Sequence, residues 1–384
     1  MADGESHAAD FQPQDRVRAL RAELADRASR PANASLGLSG QHYVDPGYFE
    51  HEKQTVLAEA WHCVGRTDEL REHGDYLTVQ ILDEPVIVVR DKSRNRALSN
   101  VCRHRGMPLV QGRGRAKLFV CPYHAWSYRP DGQLQRAGGM ENAAFDPAQC
   151  KLPSFACEER FGFVYVSLAE EPSDIDAGMA ELAETLAPYE AETYRHVHTA
   201  SEIWRCNWKA LVENFMEGYH LSVVHPQTLH GYTPTRLSVK GPSGAGFTSY
   251  FAKYPENIPS RGRGSEKLRD DQRHQSFLFA HFPLQVASIA PSLFVSLSLL
   301  PRSVDQVEVR WTMSVFGEDL SDETIRSRID LWTEVNREDR EKLELMQAAL
   351  SSRHATGGPL AQPDYEGTVR DFLDWLAQAD QLYP

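Results

Sequence analysis

Apolar positions along the chain change their spacing several times, and each change marks an element. Over residues 14–29, Ala, Leu and Val recur among Arg and Glu at helical intervals, and residues 47–61 read as a short helix ending at Trp61. After it, WHCVG, DYLTVQIL and PVIVVR carry the β-branched, alternating character of strands. Short turns separate them, including PDG at 130–132, and the apolar strand FGFVYVSL at 161–168 closes the run. Residues 40–168 are therefore expected to form a small antiparallel β domain, preceded by an arm over residues 1–39. Residues 174–190 are acidic and helical in pattern and read as a bridge. Residues 169–384 then mix helices at 207–222, 321–352 and 366–378 with strands in VASIAPSLFVSLSLLP and QVEVRWTMSVFG, so the fold class is α+β. Residues 232–275, rich in Gly, Ser, Pro and charge, read as a long loop such as a lid or channel wall.

Composition narrows the class. A chain of 384 residues is longer than one typical domain, which supports the division above. No apolar run is long enough to cross a membrane, and the first thirty residues, with Asp3, Glu5, Asp10 and several Arg, lack a secretory leader's apolar stretch; a cytoplasmic location is expected. The net charge of −13 disfavours a nucleic-acid partner. Cys63, Cys150, Cys157 and Cys206 show no disulfide-like spacing and read as buried thiols.

The remaining two cysteines carry chemistry. Cys102 and His104 are followed, after sixteen residues, by Cys121 and His124, so that two tight loops each offer one thiolate and one imidazole. This ligand set suits a [2Fe–2S] cluster of the Rieske type, and it also suits a structural zinc ion. Residues 92–130 contain no Asp or Glu but hold Arg94, Arg96, Arg103, Arg105, Arg113, Arg115, Lys117 and Arg129. That basic stretch is either a docking face for an acidic redox partner or an ordinary solvated surface.

A second constellation lies in NWKALVENFMEGYHLSVVHP, residues 207–226. On a continuous helix Glu213, Glu217 and His220 share one face, whereas His225 points elsewhere unless the helix breaks before Pro226. With that break, His220 and His225 converge, and one carboxylate would complete a two-histidine, one-carboxylate site for non-haem Fe(II). Asp339 in NREDREKLELMQ is the leading candidate, with Glu338 and Glu341 as competitors.

CRHRGMPL, CPYHAWSYRPDG, and NWK followed by EN, YH and a further His together make the chain resemble the catalytic α subunit of a Rieske non-haem iron oxygenase over residues 40–378. The resemblance implies a Rieske domain followed by a catalytic domain with a curved antiparallel sheet. It further implies a cluster on Cys102, His104, Cys121 and His124, and a mononuclear iron on His220, His225 and Asp339. Glu217 stands where the family has an acid bridging the two metal sites across a subunit boundary in a trimer; most members have Asp there, and Glu is similar to the carnitine-oxygenase branch. The implied activity is hydroxylation, by mono- or dioxygenation, of an aromatic ring or a quaternary ammonium N-methyl group. It would use O2 and electrons from NAD(P)H, delivered by a separate reductase or ferredoxin because the chain has no convincing dinucleotide fingerprint. Phe247, Tyr250, Phe279 and Phe294, with His230, Tyr232 and Phe251, are the expected substrate walls. A Rieske-type electron carrier and a zinc-stabilised binding protein are the alternatives.

Overall fold

The structure, a computed structural model, describes residues 13–140, 145–317 and 320–382. Residues 1–12 of the expected arm lie outside the described residues; the rest of it forms helix α1 (Pro13–Ser29). Leu20 and Leu24 of α1 are buried, and Arg21 pairs with Asp380 at 2.8 Å, so α1 packs on the C-terminal helix. Two short helices follow, α2 (Gln41–Val44) and α3 (Pro46–Gln54). Asp45 caps α3 by accepting from the Tyr48 amide, and the helix stops well before Trp61, which begins a strand instead.

The rest of the first half is built on β-strands. Its strands are β1 (Trp61–Arg66), β2 (Asp75–Ile81), β3 (Glu84–Asp91), β4 (Arg94–Ser99), β5 (Arg113–Arg115), β6 (Phe119–Val120), β7 (Ser127–Tyr128), β8 (Leu134–Arg136), β9 (Ser154–Arg160) and β10 (Phe163–Ser167). They build an antiparallel sheet in the order β1-β10-β9-β4-β3-β2-β5 and a small sheet β6-β7-β8. The acidic bridge forms only a short helix, α4 (Ala180–Leu186), which gives way to tight turns at Pro188.

The second half is one antiparallel sheet flanked by helices. Strands β11 (Arg195–Trp204), β12 (Ser238–Lys240), β13 (Phe247–Lys253), β14 (Gln275–His281), β15 (Gln285–Ala290), β16 (Leu293–Ser303) and β17 (Gln306–Val315) pair in the order β11-β17-β16-β15-β14-β13-β12. Helices α5 (Trp208–Phe215), α6 (Leu221–Val224), α7 (Asp270–Arg273), α8 (Asp322–Leu350) and α9 (Pro363–Gln381) complete it. Two expectations change here. VASIAPSLFVSLSLLP is a hairpin, turned at Pro291–Ser292, because proline cannot donate to the ladder. The expected loop at 232–275 contains β12 and β13, whose alternating TSYFAK stretch pairs with β14 in register Tyr250 to Leu278.

Strand parity sorts the side chains into two cores. Tyr250, Ala252, Leu278, Ala280, Val295 and Leu297 face α5, α8 and α9, joining Trp208, Met216, Val335 and Phe372. Their neighbours Phe247, Phe277, Phe279, Ile289 and Phe294 face the other way, joining Trp61, Phe163 and Tyr165 of the first sheet. Burial of each phenylalanine contributes roughly 1.5–3 kcal/mol, so this second core fastens the two halves together.

Candidate functional site

The loops carrying the Cys/His pairs are built alike. The Cys102 amide donates to Met107 O at 2.9 Å, and its carbonyl accepts from the Gly106 amide at 3.0 Å. The Cys121 amide donates to Trp126 O at 2.7 Å, and its carbonyl accepts from the Ala125 amide at 3.0 Å. In each loop the residue four after the cysteine is left-handed, Gly106 at φ +74° and Ala125 at φ +58°. Both thiols are buried, and the Tyr128 hydroxyl lies 3.4 Å from Cys102 Sγ. The His104 and His124 rings sit 4.7 Å apart, and the Trp126 ring stacks on His104 at 4.8 Å. His104 Nδ1 is buried without a hydrogen-bond partner, an orphan that a metal would satisfy, so two thiolates and two adjacent imidazoles fit a Rieske cluster.

The basic stretch is less basic in space than in sequence. Arg113 pairs with Glu69 at 2.6 Å, Arg115 with Asp75 at 2.6 Å, Arg96 with Asp91 at 2.6 Å and Arg129 with Asp131 at 3.4 Å. Among the described residues, Arg103, Arg105 and Lys117 make no ion pair, and Arg105 lies over the Tyr123 ring beside His124.

The second site starts from the Asn207 cap. Its Oδ1 accepts from the Lys209 amide and its Nδ2 donates to Val304 O at 2.7 Å, fixing the start of α5. Lys209 is fully buried, 2.7 Å from Glu52 of α3. The helix then ends at Phe215, earlier than the sequence pattern implies. Gly218 approaches Ser238 so closely that a Cβ there would lie 2.2 Å from Ser238 Oγ, and the Glu217 carboxylate takes the amides of Tyr219 and His220. Glu213 consequently does not share a face with Glu217 and His220. It accepts from the Tyr43 hydroxyl at 2.7 Å, and burial raises its pKa to about 7.

From the turn, His220 and His225 reach toward α8 on either side of α6. His225 has left helical geometry, at φ −114° and ψ 50°, as expected for a residue before proline. His220 Nε2 lies 3.5 Å and His225 Nε2 3.1 Å from Asp339 Oδ1, and one donor atom from each of the three falls within 4.8 Å of the others. The Nδ1 atoms face outward to carboxylates: His220 to Glu217, and His225 to Glu338 at 2.7 Å. Glu338 also accepts from the Thr228 hydroxyl at 2.6 Å, and the Asn214 amide lies 3.4 Å from Asp339 Oδ1. Burial disfavours the charged forms, yet the histidines hold Asp339 down at about 2, and Asp339 and Glu217 raise His220 to about 10. His225 Nε2 is buried without a properly aligned hydrogen bond, so the convergent set of two nitrogens and one oxygen fits a metal ion better than it fits itself.

The three acidic candidates on α8 are thus separated by geometry. Asp339 faces the histidine Nε2 atoms, Glu338 orients a ring from behind, and Glu341 pairs with Arg337 on an exposed surface. Sequence reasoning missed the roles of Asn214, Thr228 and Glu338 as supports; the Asn of EN and the acid preceding Asp339 were the available signals.

The expected substrate walls divide by strand parity. Phe247, Phe279 and Phe294 are corrected to core residues on the sheet face away from the metal donors, with Phe294 against Phe163 at 5.2 Å. Phe251 also packs on that side, against Phe277. Tyr250 lies on the metal side, buried, and its hydroxyl is held protonated by burial and by the Glu217 and Asp339 charges. His230 bonds to Ser222 and is exposed, as is Tyr232, which lies beneath Arg261. A cavity of about 500 Å³ lined by Trp61, His281, Phe282 and Trp375 contains none of the metal donors.

No helix among the described residues is long and apolar enough to cross a membrane. Residues 60–156 match the Rieske [2Fe-2S] domain, and residues 184–381 match the ring hydroxylating alpha subunit catalytic domain. The chain is 39% identical over 218 residues to the glycine betaine monooxygenase oxygenase subunit of Chromohalobacter salexigens, a match covering 56% of this chain and 49% of that protein. It is 29% identical over 367 residues to the carnitine monooxygenase oxygenase subunit of Escherichia coli K12, covering 89% and 93% of the two chains. Naphthalene 1,2-dioxygenase from a Rhodococcus species shares the fold, with a TM-score of 0.82 at 19% identity over 97% of this chain and 99% of that one. The chain therefore belongs to the ring-hydroxylating alpha subunit family, the Rieske non-haem iron oxygenases.

Proposed function

We propose that this chain is the terminal oxygenase of a multicomponent system that hydroxylates an N-methyl carbon of a small quaternary ammonium compound. One oxygen atom of O2 enters the C–H bond and the other leaves as water with two electrons and two protons; the N-hydroxymethyl product then loses formaldehyde. The observation that carries this reading is the convergence of His220, His225 and Asp339, braced by Glu217 and Glu338, in a chain that also carries the Cys102/His104 and Cys121/His124 loops. In the proposal these residues hold Fe(II) and a [2Fe–2S] cluster respectively. The iron, when bound, supplies the oxygen chemistry; the protein positions, orients and excludes water. The glycine betaine and carnitine relatives support the ammonium class over an aromatic ring, and Glu217 in place of Asp agrees with it.

A homotrimer is part of the proposal. His124 and Tyr123 are exposed and Tyr219 is exposed beside Glu217, so in a trimer the cluster of one subunit would meet the bridging Glu217 of the next. Electrons would enter from a separate NAD(P)H-dependent reductase or ferredoxin near Arg103, Arg105 and Lys117. The division into residues 1–39, 40–168 and 169–384 and a cytoplasmic setting belong to the same reading; free cysteines support the latter. The test is NADH-driven turnover with a reductase, scoring oxygen uptake and formaldehyde across ammonium and aromatic compounds. Formaldehyde matched to oxygen consumed supports the proposal; uptake with aromatic compounds alone overturns it.

A further inference from the structure

We infer that Trp332 and Asn336 form a carboxylate-binding subsite, so that the substrate is a zwitterion carrying a carboxylate as well as its ammonium group; this rests on the ammonium reading above. Trp332 and Asn336 are only 6% and 5% exposed, and Trp332 Nε1 and Asn336 Nδ2 are both buried without a hydrogen-bond partner. A buried donor left without an acceptor forfeits its hydration, and two of them one turn apart on one helix are where an acceptor brought by a ligand would satisfy both. An indole N–H can only donate, so no change of tautomer or amide orientation satisfies Trp332.

Both residues lie on α8 with the proposed iron ligand. At about 100° per residue, Trp332 is displaced roughly 20° and Asn336 roughly 60° around the helix from Asp339. They lie about 10.5 Å and 4.5 Å from it along the axis, toward the N-terminus. Trp332 belongs to the same apolar cluster as Met216, Tyr250 and Leu297, on the metal side of the sheet. The acids beside the metal donors are already engaged, Glu217 with His220 and Glu338 with His225 and Thr228. A short ammonium carboxylate could therefore place an N-methyl group at the histidines and its carboxylate along α8, one oxygen for each donor. An alcohol in the same position offers a single oxygen. No lysine or arginine is required, because a zwitterion brings its own counter-charge.

The test is titration calorimetry on the holoenzyme with glycine betaine, choline and tetramethylammonium, in the natural protein and in Trp332→Phe and Asn336→Leu. Glycine betaine is expected to bind the natural protein about tenfold more tightly than choline, and each variant to lose about tenfold for glycine betaine while choline changes by less than about twofold. The ligand-free melting temperature should hold or rise, because an orphan donor has been removed. Trp332→Phe keeps a ring in the core, and the cluster absorption spectrum reports whether either variant has folded. Equal weakening for all three probes, or a lower melting temperature with selectivity intact, assigns the donors a structural role and overturns the subsite. If the natural protein binds choline as tightly as glycine betaine, the subsite alone fails. If it binds none of the three, the ammonium reading fails with it.

Discussion

Replacing Glu338 by Ala isolates the support of the metal site from the site itself. The carboxylate accepts two hydrogen bonds, from His225 Nδ1 at 2.7 Å and from the Thr228 hydroxyl at 2.6 Å, and does not face the Nε2 atoms. Its removal leaves His225 free to rotate or to change tautomer and makes the imidazole a weaker donor to a metal. Loss of such an outer carboxylate typically lowers metal affinity 10- to 100-fold, or about 1.4–2.7 kcal/mol. The two vacated donors add a stability cost of about 1–3 kcal/mol. The assay is retention of the mononuclear iron against a graded chelator, with the visible spectrum of the cluster as an internal control. Glu341→Ala is the comparator, since Glu341 only pairs with Arg337 on the surface. If Glu338→Ala holds iron as firmly as Glu341→Ala does, the orienting role is wrong.

Three further outcomes follow from the packing. His62 and His281 are fully buried, and burial lowers both to about 4; because the folded state binds fewer protons, their stability contribution is present above pH 6.5 and lost as the pH falls toward 4, about 3 kcal/mol each, which urea unfolding between pH 7 and 5 should register as a falling midpoint. Lys209→Met leaves Glu52 buried without its cation and should cost about 3–5 kcal/mol, with most of the loss recovered in the Lys209→Met, Glu52→Leu double variant; a single variant as stable as the natural protein refutes this. Gly218→Ala drives a methyl into Ser238, displaces the turn carrying His220, and should destabilise by about 1–3 kcal/mol with loss of turnover; adding Ser238→Gly should restore both.

The parts of the molecule that were legible in the sequence are those governed by short-range chemistry. The Cys/His spacing placed four donors on two matching loops, and Pro226 foretold the bend that frees His225. The long helix Asp322–Leu350 also follows its apolar spacing closely. Misreadings arose where distant contacts decide. The break after Phe215 depends on the approach of Gly218 to Ser238, which no local propensity reports. Phe247, Phe279 and Phe294 were aromatic and near the right strands, but a one-residue difference in parity turns a substrate wall into an inter-sheet core. Likewise, half of the basic residues named in the acid-free stretch at 92–130 are paired with Glu69, Asp75, Asp91 and Asp131, all outside it.

The account rests on one chain holding two different metal centres, and metal analysis of anaerobically purified protein tests that most directly. Iron and acid-labile sulfide should approach about three and two per chain, the sum of a [2Fe–2S] cluster and one mononuclear iron. Asp339→Ala should lower iron to about two while leaving sulfide and the cluster spectrum unchanged, and Cys121→Ser should remove the sulfide. Protein that contains zinc and no sulfide, or an Asp339→Ala variant that keeps all of its iron, would contradict the account.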